Sequence, residues 1–235
     1  AILEQLHIVT PPEPGVEATL TLSLNSATPK KKEVICASGS NENECDKLSV
    51  LVFDIKAEGD NILTTNIDVS VLKSGIGTAL AQTAYIYDGS TEIAGVSVIN
   101  GVASFIDLGY TIPKDTTKTL TIRIDIRSAN SSVANFTTSI SSTGITAENS
   151  TGDLVLNKSG NVNGNSIGVR NFGPEITLIS KSIATGGVPQ INSFPISTST
   201  LTATFNVKIK AVGGDIILGT SASSTPLFSK NGATN

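Results

Sequence analysis

The chain has 235 residues, of which 39% are hydrophobic and only 15% are charged, and its net charge is −4. The apolar share is sufficient for a packed core, whereas the small negative charge provides no basic field that would attract nucleic acid or an anionic lipid surface. No apolar run approaches the roughly eighteen residues that cross a bilayer, so we expect neither nucleic-acid binding nor membrane insertion.

The N-terminal segment, residues 1–15, is predicted to be extended. Ile2, Leu6 and Ile8 share one face of a strand-like pattern, and the run Pro11 to Gly15 follows as a stiff spacer. A strand tethered outside its own domain is suited to donation to another subunit. The alternative is that it pairs within its own sandwich.

Cys36 and Cys45 are the only cysteines, and they are separated by a polar stretch that contains Gly39. A loop of this length can close as a disulfide, and the chain-entropy estimate gives about 2–3 kcal/mol of stabilisation. The sole histidine, His7, does not complete a set of metal ligands with the cysteines. We therefore expect a Cys36–Cys45 disulfide and an oxidising, extracellular compartment.

Alternation with period two dominates the rest of the chain and predicts half-buried strands. The clearest cases are Lys118–Ile126 and Leu201–Ala211, each with one apolar and one polar face, while Leu48–Ala57 is apolar on both faces near Phe53 and is predicted to be a central strand. Further strands are predicted at Leu20–Leu24, Ile67–Val71, Ala81–Tyr87, Ala94–Ile99, Val102–Leu108, Phe136–Ile140 and Ile176–Ser180.

Turn-forming residues separate these strands. Asn100-Gly101 and Asp88-Gly89 each lie between two alternating runs, which is the strongest short-range hairpin signal. No segment keeps a 3.6-residue apolar spacing over three turns, so essentially no helix is expected. The spacing of strands and turns predicts an all-β, antiparallel fold that is either a sandwich or a barrel. With the repeat and the resemblance described below, we expect immunoglobulin-like sandwich domains in tandem.

An internal repeat supports the tandem arrangement. Ile55-Lys56-Ala57-x-Gly59 recurs as Ile209-Lys210-Ala211-x-Gly213, and Leu20–Pro29 has a looser echo in Ile176–Thr185. We therefore divide the chain into a first β-sandwich domain at residues 16–173 and a second domain at 174–235. The second is expected to be incomplete, because it has too few residues for a full copy, and to expose an unpaired strand edge.

Part of the chain also resembles a known group of proteins. Tyr87-Asp88-Gly89-Ser90-Thr91, followed by Thr111-Ile112-Pro113 and Thr116–Leu120, resembles the "YDGST" and "TIPAGTTKTLTV" strands of immunoglobulin-like repeats in large surface proteins of uncultured candidate-phylum (Patescibacteria-type) bacteria. Here Lys114-Asp115 replaces the usual Ala-Gly. The resemblance implies a β-sandwich displayed at a cell surface, and it implies no activity.

No catalytic residues are predicted, because a Ser-His-Asp or Cys-His arrangement would have to use His7. Calcium is the one cofactor considered: Glu58 and Asp60 lie in a turn that the repeat relates to that of Asp215, and oxygen-rich turns bind Ca²⁺. Ordinary turn propensity explains the same residues. Four sequons, which composition alone would produce about as often, mark candidate glycosylation sites at Asn130, Asn135, Asn149 and Asn157.

Two functions follow from these expectations. The first is a non-enzymatic structural subunit of an extracellular filament or surface layer, whose copies join head to tail by strand pairing between subunits. The alternative is a ligand-binding, adhesive module of a larger cell-surface adhesin. The low aromatic content of 4% argues against a carbohydrate-stacking platform in that module.

Overall fold

The computed structural model describes residues 17–37, 43–186, 190–191, 194–195 and 201–216. This part of the chain is all β, with one three-residue 3₁₀ turn at Ser142–Gly144 and no α-helix. The strands are β1 Thr19–Leu24, β2 Lys32–Ile35, β3 Cys45–Glu58, β4 Ile62–Gly75, β5 Leu80–Asp88, β6 Thr91–Ser97, β7 Val102–Phe105, β8 Tyr110–Ile112, β9 Thr117–Arg127, β10 Ala134–Ser141, β11 Ile145–Glu148, β12 Asn157–Ser159, β13 Asn161–Asn163, β14 Ile167–Arg170, β15 Gly173–Thr185, β16 Gln190–Ile191, β17 Phe194–Pro195 and β18 Leu201–Val212.

Strands β1 to β14 form two sheets, which we call the first sandwich. The first sheet has six strands in the order β12-β1-β3-β9-β5-β6. The second contains β11-β4-β10-β14-β2, with β13 added to β10 and with β7 and β8 added to β4. The predicted central position of Leu48–Ala57 is confirmed, because β3 lies between β1 and β9.

Both sheets contribute to one core. On β9 the predicted alternation is confirmed: Leu120, Ile122, Ile124 and Ile126 are fully buried, while Thr121 and Arg123 are only partly so. Phe53 from the first sheet and Phe105 and Phe136 from the second are the largest side chains of the interior. Burying an aliphatic or aromatic side chain of this size contributes about 1.5–3 kcal/mol. The burial of these side chains therefore stabilises the packing of the two sheets against each other.

The pairing is mostly antiparallel, but two pairs are parallel. Strand β1 pairs with β12, and β2 pairs with β14. Since β1 belongs to the first sheet and β2 to the second, the beginning of the sandwich crosses from one sheet to the other near Thr28, whose hydroxyl donates to the Val52 carbonyl at 2.6 Å. The predicted all-β, antiparallel fold is confirmed. The two parallel pairs were not predicted, because local alternation carries no information about a partner more than a hundred residues away.

The two predicted turns have different consequences. Asp88-Gly89 closes a regular hairpin between β5 and β6, with Asp88 opposite Thr91. Asn100 and Gly101 both have positive φ, of 52° and 78°, and Ile99 and Val102 exchange backbone hydrogen bonds of 2.8 and 3.0 Å across the turn. Beyond that pair the strands separate, and β6 joins the first sheet while β7 joins the second.

Strands β15 and β18 form a separate two-stranded sheet, the C-terminal hairpin, whose register runs from Gly173 opposite Val212 to Thr185 opposite Leu201. The expectation that one face of Leu201–Ala211 is buried is wrong for the described residues. Phe205 is 61% exposed and Val207 is 40% exposed, because no second sheet among the described strands packs against the hairpin.

The C-terminal hairpin repeats the register of β1 and β3. Leu22 pairs with Ile55, and 154 positions further along the chain Ile176 pairs with Ile209. The same shift holds for six consecutive pairs, from Thr19 opposite Glu58 to Leu24 opposite Phe53. The Ile-Lys-Ala-x-Gly repeat therefore corresponds to the same pair of strands built twice. The looser echo of Leu20–Pro29 in Ile176–Thr185 is two residues out of this register, because Leu20 corresponds to Pro174.

Candidate functional site

The C-terminal hairpin displays an apolar surface that a sandwich would normally cover. Its exposed apolar side chains range from 40% to 69% accessible, and they are Ile176, Leu178, Ile179, Ile183, Leu201, Phe205 and Val207. The corresponding position to Val207 in the first sandwich is Phe53, which is fully buried. The difference lies in what packs on the strands, since the local pairing is the same.

The hairpin also has unpaired strand edges. Among the described strands, β18 pairs only with β15, whereas β3, which holds the equivalent place in the first sandwich, pairs with both β1 and β9. Unpaired N–H and C=O groups along an exposed edge are a template for another strand. This surface is therefore suited to binding an additional strand, which would pair along the edge and bury the apolar side chains.

The base of the hairpin lies against the end of the first sandwich that carries the disulfide. The predicted Cys36–Cys45 disulfide is confirmed, and it links the end of β2 in one sheet to the start of β3 in the other. The Cys36 N–H donates to the carbonyl of Arg170, the last residue of β14, at 2.7 Å. A cleft of about 390 Å³ between β2 and the hairpin is lined by Val34, Ile176 and Val212, among others.

Gly213 makes the tightest contact at this junction. Its φ is +74°, and a Cβ built there would lie 2.2 Å from the Asn171 carbonyl oxygen and 3.1 Å from the Ala37 Cβ. Asn171 itself is held by its side-chain amide, which donates to the Asn43 side chain at 2.9 Å. At this junction the backbone of the hairpin lies so close to the Asn171 carbonyl that only glycine fits at position 213.

A polar network lies beside the disulfide on the outer face of the first sheet. Asp125 is 6% exposed and accepts hydrogen bonds from the Lys47 backbone N–H and from the Tyr85 hydroxyl, both at 2.8 Å. Arg127 contacts the same carboxylate at 3.4 Å and pairs with Asp46 at 2.8 Å. Because Lys47 has a φ of +50° at a bulge in β3, the network holds an irregular backbone next to Cys45.

The outer part of this network carries exposed charges. The Lys47 ammonium and the Tyr87 hydroxyl both donate to Glu92 Oε2, at 2.8 and 2.6 Å. These hydrogen bonds, that of Lys47 first, lower the pKa of Glu92, and the bond to Glu92 raises the pKa of Lys47. Arg123 stacks over the Tyr87 ring, 4.1 Å from its centroid. Lys47 and Glu92 form an ion pair with each other, and Arg123 contacts the Tyr87 ring, which is typical of a structural network.

The predicted strand Ala81–Tyr87 has Tyr85 and Tyr87 at alternate positions, on one face, but the sequence does not show their partners. The two tyrosines do pack across strands, against Lys47 and Arg123. Burial, followed by the hydrogen bond to Asp125, raises the pKa of Tyr85. The signal that could have found the network is the placement of Arg123 and Asp125 on the polar face of β9, but it does not show which neighbouring strand faces them.

Two of the three residues considered for calcium, Glu58 and Asp60, are engaged by other groups. Glu58 forms a 2.7 Å ion pair with Lys56, while Asp60 accepts from the Ser150 hydroxyl at 2.7 Å and from its backbone N–H at 3.2 Å. Within the described ranges no three His, Cys, Asp or Glu side chains are grouped to hold a metal. The turns that contain Glu58 and Asp215 each have a glycine with a positive φ, at Gly59 and Gly213. Ordinary turn propensity accounts for the repeated Gly and Asp in such turns, so they do not require a metal.

The four sequons occupy different environments, and glycosylation stays a prediction. Asn157 is exposed at the edge strand β12, and its amide donates to Thr19 at 3.2 Å. Asn130 and Asn149 accept backbone N–H bonds in their own turns, and Asn135 lies in β10 between β4 and β14. The candidate assembly residues Ile2, Leu6 and Ile8, together with His7, lie outside the described residues.

These features define an all-β sandwich with a disulfide at one end and a separate hairpin whose outer edges and apolar face no other described strand covers. Comparison with protein-family models and with curated proteins finds no match to the sequence, so the resemblance to bacterial surface repeats stays an expectation. In the part of the chain that the structure describes, no helix has the length and hydrophobicity to span a membrane.

Proposed function

We propose that this chain is a structural, non-catalytic subunit of an extracellular filament or surface layer, and that its copies join head to tail by strand pairing. The observation that carries the proposal is the C-terminal hairpin. It combines a twelve-residue strand, β18, for which the described strands provide a partner on one side only, with exposed apolar residues such as Phe205 and Val207.

A two-stranded ribbon of this kind needs a partner. Isolated two-stranded hairpins are marginally stable in water, and three strands with an apolar face, or packing against another element, are required for independent stability. Ile176, Leu178, Phe205 and Val207 are each about half exposed, so covering them would contribute roughly 1 kcal/mol apiece. A new ladder of main-chain hydrogen bonds would add to this contribution.

The proposed assembly is an open polymer, in which the hairpin of one copy accepts a different segment of the next copy. A symmetric dimer would instead pair the hairpin with the hairpin of its partner. A surface at one end that accepts a segment from elsewhere on the next copy is a heterologous contact, and heterologous contacts extend into fibres when the rotation does not close. The disulfide supports an oxidising, extracellular setting, in which such cross-links persist.

The test is the assembly state of the full chain. Size exclusion with light scattering, together with negative-stain microscopy, should show concentration-dependent polymers. Phe205→Asp should reduce polymer at least tenfold, because it places a charge on the apolar face. Thr204→Asp is the matched control, since it adds the same charge at the neighbouring exposed position on the opposite face, and it should leave assembly unchanged.

A wild-type chain that stays monomeric at the highest attainable concentration would overturn the proposal. The adhesive-module hypothesis would then be favoured. Equal loss of polymer in both variants would show that added charge, and not the apolar face, controls association.

A further inference from the structure

We infer that the first sandwich is a load-bearing unit. Tension applied between its entry, at Glu17, and its exit, at Phe172, acts in shear on the parallel ladder between β2 and β14, and the Cys36–Cys45 disulfide anchors that ladder to the central strand β3. A filament subunit and an adhesive module are both pulled along the chain, so this role holds for either candidate function.

The chain enters and leaves the first sandwich at opposite ends. The entry lies beside the end of β3, since Thr19 pairs with Glu58. The exit lies beside the start of β3, because Cys36 is joined to Cys45 and its N–H donates to the Arg170 carbonyl at 2.7 Å. Strand β3 has fourteen residues, at about 3.3 Å each, so entry and exit are about 40 Å apart along the strands. Tension on the chain therefore acts along the strand axes.

The parallel pairing of β2 with β14 converts this tension into shear. Four pairs join the two strands, from Lys32 opposite Ile167 to Ile35 opposite Arg170. A pull from the entry acts on the first residue of β2, and a pull from the exit acts on the last residue of β14, so two neighbouring strands are drawn in opposite directions along their lengths. The hydrogen bonds of the ladder are then loaded together. In an antiparallel hairpin the two chain ends lie side by side, and a pull breaks one pair at a time.

The disulfide prevents β2 from sliding toward the entry. Cys36 follows the last residue of β2, and Cys45 is the first residue of β3. A pull on β2 is therefore transferred through the cross-link to β3, which pairs with β1 on one side and with β9 on the other. Displacing β2 would require β3 to leave both of its neighbours, so the ladder is anchored to the centre of the first sheet.

Strand β14, which takes the load at the exit, is held by its side chains as well as by its backbone. Ile167 and Val169 are fully buried, so displacement along the strand axis would withdraw both from the core. Arg170 forms an ion pair of 3.1 Å with Glu33 on β2, and the same displacement would break it. The strand also pairs on both sides, with β2 and with β10.

Single-molecule force spectroscopy of the full chain tests the inference. Handles are coupled to azide-bearing amino acids that replace Glu17 and Phe172. A second preparation carries them at Leu80 and Ser97, two exposed residues that lie together at the open end of the β5–β6 hairpin. The rupture force should be at least twice as high in the first preparation, because shear loads the ladder as a unit. An equal or lower force there would overturn the inference.

Reduction with a dithiol, which is itself oxidised to a disulfide as the two cysteine thiols form, tests the anchor. With handles at residues 17 and 172, the rupture force should fall. The extension released on unfolding should increase by about 27 Å, because nine residue steps of up to about 3.6 Å replace a Cα–Cα distance of 4.9 Å. A longer extension at an unchanged force would show that the cross-link carries no load.

A matched pair of substitutions separates mechanical from thermodynamic effects. Val169→Ala and Val162→Ala remove the same atoms from fully buried positions, but Val169 lies in β14, whereas Val162 lies in β13, outside the ladder. Both variants should be less stable to denaturant. Forced unfolding is governed by the unfolding rate, so only Val169→Ala, which weakens the loaded strand, should lower the rupture force, by at least a quarter. Equal rupture forces in the two variants would contradict the inference.

Discussion

Gly59 and Gly213 occupy equivalent positions in two turns of the same construction. Each follows a strand with an Ile-Lys-Ala run, each has a positive φ, of 83° and 74°, and each lies 154 positions from the other in strands whose pairing registers coincide. A left-handed backbone costs a non-glycine residue about 1–2 kcal/mol. The positive φ therefore explains why both copies have glycine at this position.

Gly213→Ala is expected to loosen the hairpin from the sandwich. The substitution adds backbone strain, and the new Cβ would overlap the Asn171 carbonyl oxygen. Hydrogen exchange should therefore increase along β15 and β18 while it stays unchanged in β9. Gly214→Ala is the matched control, because the atom nearest to its Cβ is 4.0 Å away. Equal exchange in the two variants would show that the junction has no such constraint.

Removing the disulfide is expected to destabilise the first sandwich by about 2–3 kcal/mol, on the loop-entropy estimate. The cross-link joins β2 of one sheet to β3 of the other, so its loss also frees the end against which the hairpin lies. Urea unfolding of the Cys36→Ser and Cys45→Ser double variant measures the change, and the reduced wild type should give the same value. An unchanged midpoint would contradict the prediction.

Asp125→Ala is expected to cost about 2 kcal/mol, because it removes a buried charge-assisted acceptor and leaves the Tyr85 hydroxyl and the Lys47 N–H without their partner. Glu92→Gln, at the exposed side of the same network, should have a smaller effect because water screens that ion pair. Chemical denaturation of the two variants provides the comparison. If the Glu92 variant were the less stable of the two, the buried carboxylate would not be the centre of the network.

Alkaline pH is expected to destabilise the sandwich through its tyrosines. Burial first, and then the hydrogen bond to Asp88, raise the pKa of Tyr110 above the ordinary value of 10.0. The folded state therefore holds this proton more tightly than the unfolded chain does. Its contribution to stability is complete below pH 10 and is lost as the pH rises through the higher folded pKa.

The measurement is the thermal unfolding midpoint from pH 9 to 12, with tyrosinate absorbance followed in parallel. Tyr110→Phe should fall less steeply than the wild type over this range. Lys47, whose pKa is also raised, is present in both proteins and so does not affect the comparison. Parallel curves for the two proteins would contradict the assignment.

The strands with strong alternation were predictable because the alternation that defines their two faces is local. In Lys118–Ile126 every second residue is apolar, and any sheet that pairs this segment must place those residues on one face. The Cys36–Cys45 disulfide was predictable for a similar reason, since a short loop and the absence of other ligands leave few alternatives.

The short strands and the sheet assignments were not predictable in the same way. Strand β14 has four residues, and its parallel partner β2 lies more than a hundred positions earlier. Asn100-Gly101 correctly indicated a tight turn, but whether β7 then continues beside β6 or crosses to β4 depends on the packing of the whole sandwich. The partners of Asp125 were missed for the same reason, because they come from β3 and β5.

The sequence by itself determined that the chain forms alternating strands, carries a disulfide and repeats an Ile-Lys-Ala-x-Gly unit, because each of these properties depends on neighbouring residues. Only the tertiary structure decided that the repeated unit preserves its strand register while losing its burial. Val207 and Phe53 have the same place in their strand pairs, but Phe53 is fully buried whereas Val207 is 40% exposed in the part of the chain that the structure describes. Burial is a property of what packs against a strand, and that partner is not encoded in the strand itself.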